Sequence, residues 1–323
     1  MTLADAAALF YHCLLVSLPT FGWVVAGAVL ARIGWLPQSL NDRISRVSFN
    51  FGLPLLLFAG AASVDYSSLR SATFLLAGVL ATLAVTMASW GYSAWRGHVL
   101  AERGIFVQGA FRSNLAIMGL ALCISAYGEK GAQLGALAVA VMTSLYNVLA
   151  VLVLNRTLGD NSSPVAALLG VLRNPLLIGI AAGVALSLSG LPVPDVVEPA
   201  SLRLGQFFLP LMLVCIGGAM KLSELRLSGS LAWEATFWRL VIAPLLSVLL
   251  ALALGVRDEA LGVLFLLVAS PAAAASYIMV VAARGNGVLA ANIVVLTTVL
   301  SVITLTLGLF VLSLLSLVGY PGG

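Results

Sequence analysis

Long stretches without any Asp, Glu, Lys or Arg divide this chain. A helix needs roughly 20 apolar residues to cross the hydrocarbon core of a bilayer. Ten stretches of at least sixteen residues approach or exceed that length, and we number them spans 1 to 10. They are residues 6–31, 47–64, 71–95, 113–128, 131–155, 174–194, 204–220, 240–256, 260–283 and 285–323. The pattern predicts an all-α polytopic membrane protein of ten transmembrane helices.

Composition supports a lipid environment. Of the 323 residues, 61% are hydrophobic and only 9% are charged, and a soluble domain of this size does not bury so much apolar surface. Span 1 is longer than the apolar region of a signal peptide, so we expect it to remain as a membrane span.

Basic residues predict the orientation. Ten of them follow spans 1, 3, 5, 7 and 9, whereas four follow the even-numbered spans. Because cytoplasmic loops carry an excess of Lys and Arg, we expect the loops after the odd spans to be cytoplasmic. Both termini then lie on the non-cytoplasmic side.

The two halves of the chain repeat one another. A shift of 156 positions aligns two proline positions, two glycine positions and a Ser-x-Leu-Arg motif without a gap. These are Pro19 and Pro175, the prolines of residues 51–57 and 207–213, Gly27 and Gly183, Gly34 and Gly190, and residues 67–70 and 223–226. Such self-similarity predicts a duplication, with residues 1–156 as the first five-helix repeat and residues 164–323 as the second. Since five is odd, the second repeat enters the membrane from the opposite side. Inverted repeats are typical of secondary transporters, which bind substrate near the midplane between the repeats.

Spans 4 and 9 are equivalent elements that we expect to be broken. Ser270-Pro271 lies inside span 9, where proline removes a backbone N–H and clashes with the preceding turn. Ser113-Asn114 aligns with it at an offset of 157 and opens span 4, with Gly119 following. Broken helices present positive half-helix ends that attract an anion such as a carboxylate.

Polar residues near these breaks are the candidate substrate ligands. Asn114 can donate hydrogen bonds to a carboxylate, and Ser113 and Ser270 can assist; the alternative role of Asn114 is a hydrogen bond between helices. Asn50 and Gln206 form a second repeat-matched pair, each four residues before a proline, with a role in substrate binding or in helix packing. Thr143 and Asn147 of span 5 align with Thr297 and Ser301 of span 10, and we expect them to serve packing.

Two arginines lie inside or at the edge of spans, where charge is costly and often functional. We expect Arg112 to lie in or near the pathway, as partner of a substrate carboxylate or of Glu234. Arg239 lies near the predicted start of span 8, so we expect it to extend toward the interface or to pair with Glu234.

The chain resembles the auxin efflux carrier family, in the shorter bacterial branch that includes malonate transporters. The resemblance covers nearly the whole chain and rests on the order and spacing of several motifs. They are residues 111–122, Tyr127-Gly128-Glu129, Asn174-Pro175, Phe208-Leu-Pro-Leu211, residues 239–244 and Ser270-Pro271.

The resemblance implies a scaffold from helices 1, 2, 6 and 7 and a transport domain from helices 3 to 5 and 8 to 10. It further implies that helices 4 and 9 cross at their breaks, around Gly119 and Ala121 and at Pro271, with substrate bound there in an elevator-type cycle. The family often has proline where this chain has Ala121, so the break of helix 4 is less firmly predicted than that of helix 9. A bacterial cytoplasmic (inner) membrane is the implied location.

The resulting hypothesis is a secondary transporter of a small organic anion, such as a mono- or dicarboxylate. An intramembrane enzyme is the rival, but no clustered acid, base, nucleophile or metal-ligand set supports it. A channel or a sensor on a transporter fold is a third alternative. We expect no cofactor, metal or nucleic-acid partner, while H⁺ or Na⁺ coupling and a homodimer are left open.

Overall fold

The structure is a computed structural model that describes residues 3–62, 69–159, 175–189, 196–220 and 229–319. Within each of these ranges, the residues form helices and the turns between them. The helices are α1 (Leu3–Arg32), α2 (Gln38–Val47), α3 (Leu53–Ala62), α4 (Leu69–Trp95), α5 (Leu100–Phe111), α6 (Leu120–Leu158), α7 (Pro175–Leu188), α8 (Val197–Ala219), α9 (Ser230–Phe237), α10 (Ala243–Ala253), α11 (Asp258–Ala269), α12 (Ala274–Ala282) and α13 (Gly287–Leu314). Three π-helical turns, Ser48–Gly52, Leu115–Gly119 and Trp238–Ile242, continue α2 into α3, lead into α6, and join α9 to α10.

Several helices match the dimensions of a bilayer. Within the described part of the chain, five helical segments are long and apolar enough to cross a membrane: Ala7–Arg32, Ala72–Trp95, Leu115–Leu158, Ser230–Ala253 and Gly287–Leu314. Two shorter apolar helices, Ile178–Leu188 and Phe207–Ala219, accompany them. The protein is therefore an integral membrane protein.

Helix α6 contains a reversal that separates the predicted spans 4 and 5. Gly128 has φ +54° and ψ −129°, a backbone conformation that glycine adopts readily. A Cβ on Gly131 would overlap the carbonyl oxygen of Cys123, and a Cβ on Gly135 would meet the side chain of Leu120. Gly135 follows Gly131 in the chain, whereas its neighbour Leu120 precedes Cys123. The two arms of α6 therefore run in opposite directions and pack as an antiparallel hairpin.

Three predicted spans began too late because charged residues lie inside the helices. Span 2 is helical from Gln38, although Arg43 and Arg46 lie in it. Span 4 begins at Leu100 and contains both Arg103 and Arg112, and span 8 begins at Ser230 rather than at residue 240. Arg239 therefore lies in the middle of a helical segment, and its predicted position near the start of span 8 was wrong.

The helices pack as two groups. In the first group, α1 packs against α8, and α3 packs against both α7 and α8. In the second group, α4 packs against α5, α6 and α10, and α11 packs against α6, α10 and α13. Contacts of α1 with α13 and of α3 with α6 join the groups.

Glycines bring the helices of the first group into close contact. A Cβ on Gly27 of α1 would overlap the carbonyl oxygen of Val214 in α8, and one on Gly183 of α7 would overlap the carbonyl oxygen of Phe58 in α3. Small residues at such crossings let two backbones approach in lipid, where no hydrophobic force drives helices together. These two glycines are a pair that the 156-residue shift aligned.

We predict that Gly27→Ala lowers the thermal stability of the detergent-solubilised protein. The added methyl group meets backbone atoms that cannot rotate away, and overpacking of this kind costs typically about 1–3 kcal/mol. Gly22→Ala is the matched control, because Gly22 lies in the same helix and a Cβ there would meet no neighbouring atom within 4 Å. Equal melting temperatures for the two variants would contradict close α1–α8 packing.

Candidate functional site

Two interrupted helices cross at the centre of the second helix group. Helix α5 ends at Phe111 and the following turn begins at Leu115, while α11 ends at Ala269 and α12 begins at Ala274. We call residues 112–114 the first crossover segment and residues 270–273 the second crossover segment. Ser113 and Ala272 form an antiparallel bridge between them.

Backbone hydrogen bonds hold the crossover segments together. The N–H of Asn114 donates to the carbonyl oxygen of Pro271 at 2.8 Å, and the N–H of Ala273 donates to that of Arg112 at 3.1 Å. The N–H of Ala272 donates to the Thr297 hydroxyl of α13 at 3.1 Å. An unpaired backbone group is costly away from water, so these bonds replace those that the broken helices lack.

The C-terminal ends of α5 and α11 share one partner, Arg239. Its Nη1 donates to the carbonyl oxygen of Ala110 at 3.0 Å, and its Nη2 donates to the carbonyl oxygen of Val268. The arginine side chain is 0% exposed. From the sequence we expected it to extend toward the interface or to pair with Glu234, and both expectations were wrong.

Glu234 of α9 has other partners, at the end of α4 and in the turn after it. Its carboxylate accepts a hydrogen bond from the Tyr92 hydroxyl at 3.0 Å and lies 3.2 Å from Arg96 Nη2 and 3.3 Å from His98 Nε2. The predicted alternative in which Glu234 pairs with Arg112 is therefore wrong as well.

A cavity of about 680 Å³ lies beside the crossing, between the two helix groups. Its walls come from α2 and the turn after it, the first crossover segment, α6, α7, α8 and the start of α12. Polar lining residues are Asn41, Asp42, Ser45, Arg46, Asn50, Arg112, Ser113, Asn114, Thr143, Tyr146 and Asn147. The N-terminal turns at Leu115 and Ala274 also line it, so the cavity receives the positive ends of both half-helices.

Arg112 lines this cavity although it is only 6% exposed. Its Nη2 donates to the Asn147 side-chain oxygen at 2.6 Å, and its Nη1 lies 3.1 Å from the sulfur of Met279. Within the part of the chain that the structure describes, no carboxylate lies within 4.0 Å of this guanidinium. The guanidinium of Arg112 thus lies beside the cavity without an acidic partner among the described residues.

The predicted ligands of span 4 lie together in this wall. Ser113 shares a hydrogen bond of 3.2 Å with the Tyr146 hydroxyl. Asn114 makes no capping hydrogen bond to the turn that it precedes, and within the described residues no hydrogen bond engages its side-chain amide. Both groups border the cavity.

Other predicted residues support the crossing instead. The Ser270 hydroxyl donates to the carbonyl oxygen of Leu267 at 2.8 Å, and Pro271 is buried; neither lines the cavity. The interruption of predicted span 4 lies before Gly119 and Ala121. Gly119 ends a π-helical turn and contacts Leu267, and Ala121 lies in regular helix.

The second amide pair is placed only in part. Asn50 lies in the turn Ser48–Gly52 and lines the cavity opposite the crossing. Gln206 lies in α8, but its side chain is outside the described residues.

Three further site residues were missed or undervalued. Asn147 holds Arg112, Thr143 lines the cavity, and Thr297 binds the second crossover segment. The sequence signal was their alignment between spans 5 and 10, which by itself did not separate a pathway role from packing. Tyr146, adjacent to Asn147, gave no such signal.

Comparison with known proteins finds a family match in the second half of the chain. Residues 162–309 match the family described as "Membrane transport protein". The matched region includes Arg239, the second crossover segment and Thr297, whereas the first crossover segment lies before it. No curated protein matches the chain.

We predict that Thr297→Val destabilises the protein more than Thr298→Val. Each threonine donates to a carbonyl of its own helix, but only Thr297 also accepts the N–H of Ala272. Valine at position 297 leaves that buried N–H unpaired, which costs about 1–3 kcal/mol. Thermal unfolding in detergent measures the difference, and equal melting temperatures would contradict a supporting role for the Thr297 hydroxyl.

Proposed function

We propose that this protein is a secondary carrier of a small organic anion, which binds in the cavity beside the crossing. The observation that carries the proposal is the meeting of two half-helix N-terminal ends with an arginine that has no described acidic partner. Each helix end is equivalent to about half a positive elementary charge. Together with the guanidinium of Arg112, they form a compact positive wall that a carboxylate complements.

The free amide of Asn114 supports a role in substrate binding. Its alternative role, a hydrogen bond between helices, requires a polar partner on a neighbouring helix, and within the described residues none engages it. Asn114 directly precedes the turn at Leu115, so a carboxylate at that helix end lies within reach of its side chain. Ser113, Arg112 and, from the opposite wall, Asn50 complete the proposed binding residues, while Ser270 and Pro271 shape the crossing. Gln206 remains a repeat-matched candidate.

Repeat-related contacts support an architecture of ten transmembrane helices in two inverted repeats. Subtracting 156 from the number of Val214 gives Phe58, and adding 156 to Gly27 gives Gly183. The contact of Gly27 with Val214 therefore corresponds to the contact of Gly183 with Phe58. In each contact, one partner comes from the first half of the chain and the other from the second, and the shift exchanges the two halves. This exchange is expected when a two-fold pseudo-axis relates residues 1–156 to residues 164–323.

The two helix groups correspond to the scaffold and transport domain that the family resemblance implies. The cavity lies between them, where movement of one group against the other changes access to it. It extends from the crossing to the exposed residues Asp42 and Arg46 of α2, in the region assigned to the cytoplasmic side by the basic residues. We propose an elevator-type carrier in an inward-facing state, located in a bacterial cytoplasmic membrane with both termini non-cytoplasmic.

We predict that a small carboxylate raises the melting temperature of the purified protein, because a ligand that binds only the folded state stabilises it by mass action. A panel of mono- and dicarboxylates including malonate identifies the best ligand. Asn114→Ala is expected to abolish the shift from that ligand. Asn286→Ala is the control, because Asn286 caps α13 through the N–H of Leu289, outside the cavity; it lowers stability by about 1 kcal/mol and keeps the shift.

The same proteins in proteoliposomes separate a carrier from a channel or an enzyme. A carrier accelerates uptake of labelled ligand when unlabelled ligand is present inside, and the panel's best ligand should show this counterflow in the wild type and in Asn286→Ala. An unchanged shift and unchanged uptake in Asn114→Ala would contradict the proposed site. Uptake that neither saturates nor shows counterflow would contradict the carrier.

A further inference from the structure

Arg239 lies at a position where a charged side chain is unusual. It lies in the middle of the apolar helical segment Ser230–Ala253 and is 0% exposed. A charged side chain near the centre of a transmembrane helix is costly and is kept where it serves function or is compensated. Within the described residues, no carboxylate lies within 4.0 Å of it.

The backbone carbonyls that accept hydrogen bonds from Arg239 come from both broken helices. Ala110 is two residues before the first crossover segment, and Val268 is two residues before the second. Both carbonyls therefore belong to the last turns of α5 and α11, where helix carbonyls lack partners of their own. One side chain on a third helix joins the two interrupted ones.

The charges at this junction balance. The C-terminal end of a helix is equivalent to about half a negative elementary charge, so two such ends offset one guanidinium. Without that offset, the negative ends of α5 and α11 would lie one crossover segment away from the positive ends at Leu115 and Ala274. An anion would then experience four opposed helix ends rather than two positive ones.

We propose that Arg239 is a positioning residue for the anion site: it neutralises the C-terminal ends of α5 and α11 and fixes them to each other, which leaves the N-terminal ends to act on the anion. The electrostatic half of the proposal rests on the function proposed above, whereas the mechanical half does not. Arg239 does not line the cavity and acts through the crossing.

Three substitutions separate charge from hydrogen bonding. Arg239→Lys keeps the positive charge, but its compact ammonium lacks the fork that reaches two carbonyls. Arg239→Gln keeps a neutral donor, and Arg239→Met keeps neither property. Ser247→Ala is the control, because Ser247 is equally buried in the following helix and its hydroxyl donates to the Ala243 carbonyl of that same helix.

The mechanical half is tested by amide hydrogen exchange of the full-length protein in detergent. In Arg239→Met we expect faster exchange in peptides that cover both crossover segments, although Arg239 belongs to neither of these helices. Ser247→Ala should leave both segments as protected as in the wild type. Wild-type protection of both segments in Arg239→Met, or in Arg239→Gln if the methionine variant does not fold, would overturn this half.

The electrostatic half is tested by malonate affinity, measured by titration of thermal stability. Loss of the charge should weaken malonate binding on the order of tenfold in Arg239→Gln, whereas Arg239→Lys should stay near the wild type. A purely structural role predicts that affinity follows hydrogen bonding rather than charge, so equal malonate affinities in these two variants would overturn the electrostatic half. If no carboxylate of the panel stabilises the wild type, the proposed function fails, and the exchange experiment still decides whether Arg239 joins the two helices.

Discussion

The backbone hydrogen bonds between residues 112–114 and 271–273 hold two interrupted helices against each other in a largely buried region of the protein. Each helix gives up part of its own hydrogen-bond ladder, and the other helix replaces it. Because unpaired peptide groups are costly in an apolar interior, neither interruption is stable without its partner. The crossing also places helix ends of both signs at the centre of the helix group, which a continuous helix cannot do.

In the proposed function, separation of these charges makes the crossing an anion site. The C-terminal ends meet Arg239 in the protein interior, and the N-terminal ends border the cavity together with Arg112. The two arginines are both buried, yet their surroundings differ: Arg239 donates to helix carbonyls, whereas Arg112 is held by Asn147 and Met279 beside open space. The same residue type thus neutralises negative helix ends on one side and, in the proposed function, receives an anion on the other.

Much of the fold was predictable because lipid imposes simple rules on sequence. The length of the apolar stretches indicated the helices, and Pro271 identified the interruption in predicted span 9. Charge-free stretches failed at Arg103 and Arg239, because a charged residue can lie inside a helical segment when tertiary partners satisfy it. They failed at Arg112 because it lies in the interruption between two helices. The roles of Asn147, Thr297 and Arg239 depend on contacts between residues 25 to 129 positions apart, which no local pattern reveals. The first interruption lies at residues 112–114 rather than near Ala121 because Pro271 and Ala273 supply its hydrogen bonds, a tertiary effect.

The location of a bound anion tests the central claim most directly. A bromine-substituted carboxylate drawn from the best-binding class of the panel would be soaked into crystals of the protein, and its anomalous scattering would locate the ligand. We predict a single strong peak in the cavity, with the carboxylate at the turns that begin at Leu115 and Ala274 and beside Arg112. A peak elsewhere, with this cavity empty at a concentration that stabilises the protein, would contradict the proposed anion site.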